Sequence, residues 1–119
     1  MSLASNIAIT IVALIHVYIL VLEMFLWDKP AGLRAFGQSQ AAATASKVLA
    51  ANQGLYNGFL AAGLVWSLAA GHDGFSIAIF FLTCVAIAGI YGAITASRKI
   101  LYVQTVPAVI ALVLVHFPM

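Results

Sequence analysis

Residues 75–97 read FSIAIFFLTCVAIAGIYGAITAS, a stretch without one charged side chain that is closed by Arg98 and Lys99. About 20 consecutive apolar residues in a helix cross the hydrocarbon core of a bilayer. The apolar run is continuous rather than alternating, so it reads as a spanning helix and not as a strand. Working outward, residues 3–27, 47–70 and 100–117 meet or nearly meet the same length. A closed barrel would need at least about eight strands of alternating pattern, which the chain does not carry. The predicted fold is therefore all-α: a polytopic membrane protein, an antiparallel four-transmembrane-helix bundle forming one domain over residues 1–119. The links are unequal. The first, residues 28–46, is long and holds Pro30, Gly32 and Gly37, while Gly71-His72-Asp73-Gly74 and Arg98-Lys99 are short enough to force antiparallel neighbours.

Composition leads to the same class. Hydrophobic residues make up 65% of the chain and charged ones 7%, against roughly a quarter charged in soluble domains. So few charges cannot cover a water-soluble globule, and disorder needs the opposite bias. The first apolar run is too long for a signal-peptide core and lacks a basic region before it, so it is expected to be retained as a span. Cys84 is the single cysteine, which excludes an internal disulfide and a CxxC redox pair. The net charge of +2 is explained by topology before nucleic acid, and no nucleic-acid partner is expected. Lys29, Arg34 and Lys47 flank the first link and Arg98 and Lys99 form the third, so all basic residues lie on one side. The positive-inside rule places that side in the cytoplasm and both termini outside, in a cell (inner) membrane. Trp27 and Trp66 fall where the two aromatic belts would be.

Polar side chains are costly inside a bilayer, which makes each one informative. At about 100° per residue, His16 and Glu23 share a face of the first helix. They stand about 10 Å apart along the axis, too far for a direct hydrogen bond. Gln53, Tyr56 and Asn57 share an arc of the second helix with Asn52 at its edge, Tyr91 and Thr95 share a stripe of the third, and Gln104 lies on the fourth. Counted from Trp27, Lys47, Arg98 and Lys99, nearly all of these fall in the cytoplasmic leaflet, with His16 and Asn57 continuing toward the midplane. This asymmetry predicts a polar pocket lidded by the first link. Residues of the kind of Gln53, Asn57, Thr95 and Gln104 more often serve interhelical hydrogen bonding than ligand contact, and Tyr56 and Tyr91 suit interfacial anchoring. Glu23 stands apart, because a carboxyl at depth needs a partner or a proton. No metal is expected: the three histidines lie at different depths without paired spacing, and His16 cannot meet His116 for haem. No cofactor is implied. Gly54 and Gly58 on the second helix, with Ala88, Gly92 and Ala96 on the third, predict close packing between those two helices. Pro107 predicts a kink in the fourth.

The stretches HVYILVLEMFLW at 16–27, ANQGLYNGFLA at 51–61, AGIYGA at 88–93 and QTVPA at 104–108 together resemble domain-of-unknown-function family 1304, small four-helix membrane proteins. The resemblance covers nearly the whole chain. It implies a bacterial or fungal integral membrane protein and brings no established activity, cofactor or catalytic residue.

Three functions compete. The first is binding or transformation of a membrane lipid or other lipophilic small molecule with one polar group, held between apolar walls and a few converging polar groups. In an enzyme of this kind Glu23 is the general acid or base, His16 a second proton carrier, and Asn52, Gln53, Tyr56, Asn57, Tyr91, Thr95 and Gln104 bind the ligand. No nucleophile with an adjacent base is visible, so proton-shifting, isomerase-like chemistry fits better than hydrolysis or acyl transfer. The second is a small proton-coupled exporter, against which the one-sided basic residues and the shallow Glu23 count. The third is a scaffold subunit in which the polar cluster is packing alone. Homo-oligomerisation is compatible with each.

Overall fold

The computed structural model describes residues 1–117 and is all-α. Its elements are α1 (Leu3–Met24), α2 (Pro30–Phe36), α3 (Gln40–Ala69), α4 (Gly74–Thr95) and α5 (Val106–His116), with a 3-10 turn at Gly71–Asp73 and a π-helical turn at Leu101–Thr105. No strand occurs among the described residues. Two segments, Leu3–Met24 and Gly71–Thr95, are long and apolar enough to cross a membrane, and Leu101–His116 is apolar but shorter. At 30 residues α3 is about 45 Å long, more than a hydrocarbon core needs, but Asn52, Gln53 and Asn57 dilute its hydropathy.

Helix boundaries depart from the sequence expectation where hydropathy is a poor guide. The second long helix begins at Gln40 rather than at residue 47. Ser39 caps it: its hydroxyl accepts from the Ala42 N–H at 3.1 Å, and the alanines that follow are the strongest helix formers. The first link contains α2, with Pro30 in its first turn and Gly37 closing it at φ 62°, the ordinary start and stop of a short helix. α1 ends at Met24 instead of 27, and α4 ends at Thr95 instead of 97. Pro107 acts on the turn before it. It has no N–H for the Val103 carbonyl and its ring crowds that carbonyl. The chain widens there, with Val106 N–H donating to the carbonyl of Leu101, five residues back.

The chain forms two compact units, residues 1–15 with 60–119, and residues 16–59. In the first, Ile9, Val12 and Ala13 of α1, Leu64 of α3, Ala78, Leu82, Val85 and Ala86 of α4, and Ala108, Ala111 and Val115 of α5 make the buried core. Much of this core is alanine, so helix backbones come close. A Cβ on Gly89 would meet the Thr105 hydroxyl and stand 2.8 Å from the Thr105 nitrogen. The Thr105 hydroxyl itself donates to the Ala86 carbonyl at 3.0 Å, in a buried position. Many large apolar side chains face outward, among them Leu3, Leu14, Val48, Leu49, Phe80, Ile87 and Ile94.

The second unit holds the C-terminal part of α1, the link with α2, and the first part of α3. Its helices meet through Gly54 and Gly58. A Cβ on Gly54 would lie 2.5 Å from Met24 Cγ, 3.2 Å from Glu23 Cβ and 3.3 Å from the Leu20 carbonyl oxygen, and one on Gly58 would lie 2.7 Å from Leu20 Cδ1. The packing expected of the small residues is thus corrected. Gly54 and Gly58 receive α1, while Gly89 and Gly92 receive Thr105, Gln104 and Ile100. Spacing identified Gly54, Gly58 and Gly92 but missed Gly89, and could not say which neighbour used them.

Candidate functional site

The close approach at Gly54 decides where Glu23 goes. With no side chain at Gly54, the last turn of α1 lies against α3, and Glu23 comes level with Asn57, one turn further along. Asn57 Nδ2 donates to Glu23 Oε1 at 2.6 Å and to the carbonyl oxygen of Gln53 at 3.1 Å. The Gln53 carbonyl has no hydrogen to give, which fixes the amide with its nitrogen toward that oxygen and toward Glu23, and Oδ1 turned away. Glu23 and Asn57 are each half-buried. Of the described ion pairs, none involves Glu23, and the Lys47 ammonium is committed to Asp28 at 3.0 Å.

The remaining expected residues are placed as follows. Gln53 is exposed and joins the site through its backbone carbonyl. Asn52 is exposed and donates to the Val48 carbonyl at 2.9 Å, one turn back on its own helix. Tyr56 is exposed, its ring tilted against Phe59 with centroids 6.1 Å apart. His16 is fully buried and has a partner. Leu20 lies between it and Glu23 on α1, so the pair is not brought together. Tyr91 is exposed on α4, where its carbonyl accepts from the Thr95 hydroxyl at 2.8 Å. Gln104 is half-buried within the π-helical turn and has a partner. Two surface depressions, one lined by Trp66, Ser76, Ile77, Phe80 and Phe81 and the other by Leu3, Asn6, Ile7, Thr10 and Ile11, contain none of the residues expected to form a pocket. The Glu23 site is a half-buried contact between α1 and α3.

Beside this contact the first link is fastened down by interactions that hydropathy alone did not reveal. Trp27 Nε1 donates to the Ser46 hydroxyl at 3.1 Å, Lys47 Nζ to Asp28 Oδ2 at 3.0 Å, and Gln40 Nε2 to the Asp28 carbonyl at 3.2 Å. The Trp27 ring also stacks obliquely on Phe36 of α2, centroids 4.8 Å apart. The hydrogen bond from Lys47 holds the Asp28 carboxyl below the usual carboxylate range. The sequence signal for this arrangement was a tryptophan followed by an acid at the end of one helix and a lysine near the start of the next.

The profile of the family described as "Protein of unknown function (DUF1304)" matches residues 10–116. The chain belongs to the DUF1304 family. Similar to this family member is a protein of Lactococcus lactis subsp. lactis (strain IL1403) named "Uncharacterized protein YpaA". It is 29% identical over 115 residues, covering 95% of this chain and 97% of the relative. No solved structure matches.

Proposed function

We propose that this DUF1304 member is a multi-pass membrane protein of four spans, with both chain ends outside and the basic links in the cytoplasm. In this reading Glu23 and Asn57 hold the polar group of a lipophilic small molecule that enters sideways from the lipid. The hydrogen bond of 2.6 Å from Asn57 to Glu23 carries the proposal. A hydrogen bond between membrane helices is worth on average about 0.6 kcal/mol, and a half-buried carboxyl in the last turn of α1 is costlier to hold than a neutral side chain. A neutral amide would give the same helix adhesion without an ionisable group, so adhesion alone is a poor reason for a glutamate here. The membrane assignment is supported by the two long apolar helices and by the large apolar side chains facing outward along the helices. If the ligand is transformed, proton-shifting chemistry suits the inventory, Glu23 taking and returning the proton.

Copurified small molecules identify the ligand directly. Wild-type protein, Glu23→Gln and Asn57→Leu are each extracted in a mild detergent, and bound lipophiles are compared by native mass spectrometry. A species retained by wild type and lost from both variants is the expected result. The same lipid profile in all three would leave Glu23 and Asn57 as packing residues.

A further inference from the structure

We propose that the polar head of that ligand is a protonated amine, an inference that rests on the site reading above and specifies its chemistry. Asn57 has two amide hydrogens, and both are used, one on Glu23 Oε1 and one on the Gln53 carbonyl. What Glu23 still offers a ligand is its second carboxyl oxygen, Oε2, since Asn57 Oδ1 is turned away from the carboxyl. A carboxylate oxygen without a partner is a site for a hydrogen-bond donor. Charge selects among donors. The second unit, residues 16–59, contains Lys29, Arg34 and Lys47 as its Lys and Arg. Lys47 is engaged by Asp28, and Lys29 and Arg34 lie in the link beyond Trp27, so the carboxylate is matched by an amide and by no cation from this unit. A ligand hydroxyl would supply one hydrogen bond and no charge, leaving Glu23 to be neutralised by a proton instead. An ammonium donates a hydrogen bond to Oε2 and brings the compensating charge in the same contact. Leu20 and Met24, which flank Glu23 on α1 and pack on Gly58 and Gly54, give the adjoining apolar surface for a hydrocarbon tail.

The test uses the full chain in nanodiscs of zwitterionic lipid, with Trp66→Phe leaving Trp27 as the fluorescent reporter one turn beyond Glu23. Dodecylamine, 1-dodecanol and 2-dodecanone share a hydrocarbon tail and differ in the head, and their partitioning into empty nanodiscs is subtracted. Dodecylamine is expected to bind at least about tenfold more tightly than the other two, the size of a charge-assisted contact. Glu23→Gln should abolish that preference, and Glu23→Asp, which keeps the carboxylate, should retain part of it. If the alcohol or ketone binds as tightly as the amine, and Asn57→Leu weakens it, the amine assignment is overturned while the site stands. If no head group responds to any substitution at Glu23 or Asn57, the site and the amine assignment fall together.

Discussion

At the scale of single residues, the question is whether Glu23 is there for the fold. Asn57 also donates to Gln53 within its own helix, so it keeps a partner when the carboxylate is removed. Glu23→Gln is isosteric and removes the charge whose burial is costly. The variant is expected to unfold in detergent at the wild-type temperature or above it, as measured by a thermal melt. A loss of more than about 2 kcal/mol would mean that breaking the contact uncovers a structural ion or network. A second prediction concerns Asp28. Its carboxyl is held below the ordinary range by Lys47. A lowered folded-state value stabilises above the unfolded value, and the contribution is lost as pH falls through the lowered one. With Trp66→Phe, Trp27 fluorescence should therefore stay constant on acidification until below the ordinary aspartate range. In Lys47→Met the change should begin at higher pH. An unchanged midpoint would show that the Asp28–Lys47 pair does not hold the link.

At the scale of elements, two glycines that look alike in the sequence should behave differently. In an open helix interior, Gly→Ala stabilises by about 0.5–1 kcal/mol. At Gly58 the new methyl meets the far end of the Leu20 side chain, which can rotate, so Gly58→Ala should lie within about 1 kcal/mol of wild type. At Gly89 the methyl meets the Thr105 hydroxyl and backbone, which cannot yield without moving the π-helical turn. Gly89→Ala should cost about 1–3 kcal/mol, read by thermal unfolding in detergent. Equal behaviour of the two would mean that the close contact at Gly89 is relieved cheaply. The same elements show what could be read in the sequence. The cores of the long helices were legible because continuous apolar runs admit little else. That Pro107 would disturb the helix was legible as a missing donor, though the form of the disturbance, a widened turn, was not. The beginning of α3 and the whole of α2 escaped a reading based on hydropathy, although Ser39, Pro30 and Gly37 are ordinary helix punctuation. Face and depth arithmetic put Glu23 and Gln53 in one leaflet with Asn57 continuing toward the midplane, and the structure joins Asn57 to the Glu23 carboxyl and to the backbone carbonyl of Gln53. That arithmetic had no means of predicting that Gly54 faces α1, which is what sets the distance between Glu23 and Asn57.

At the scale of the whole molecule, the account depends on α3 and the residues from Leu101 to His116 crossing the bilayer as α1 and α4 are long and apolar enough to do. α3 is diluted by its amides, yet Glu23 and Asn57 meet along it, and the Asp28–Lys47 and Trp27–Ser46 contacts stand where its apolar part begins. That is where a membrane surface would lie if the basic residues face the cytoplasm. Family membership leaves this open, since the family profile names no activity. The most direct measurement is cysteine labelling across α3 in intact cells, in a Cys84→Ala background. Ala41 and His72 are both exposed and flank the helix, whereas at Gly74 a side chain would press on the Ser67 carbonyl. An impermeant maleimide is expected to label His72→Cys in intact cells and Ala41→Cys only after permeabilisation. Labelling of both from the same side would show that α3 does not cross, and would contradict the four-span reading and the membrane-embedded Glu23 site built on it.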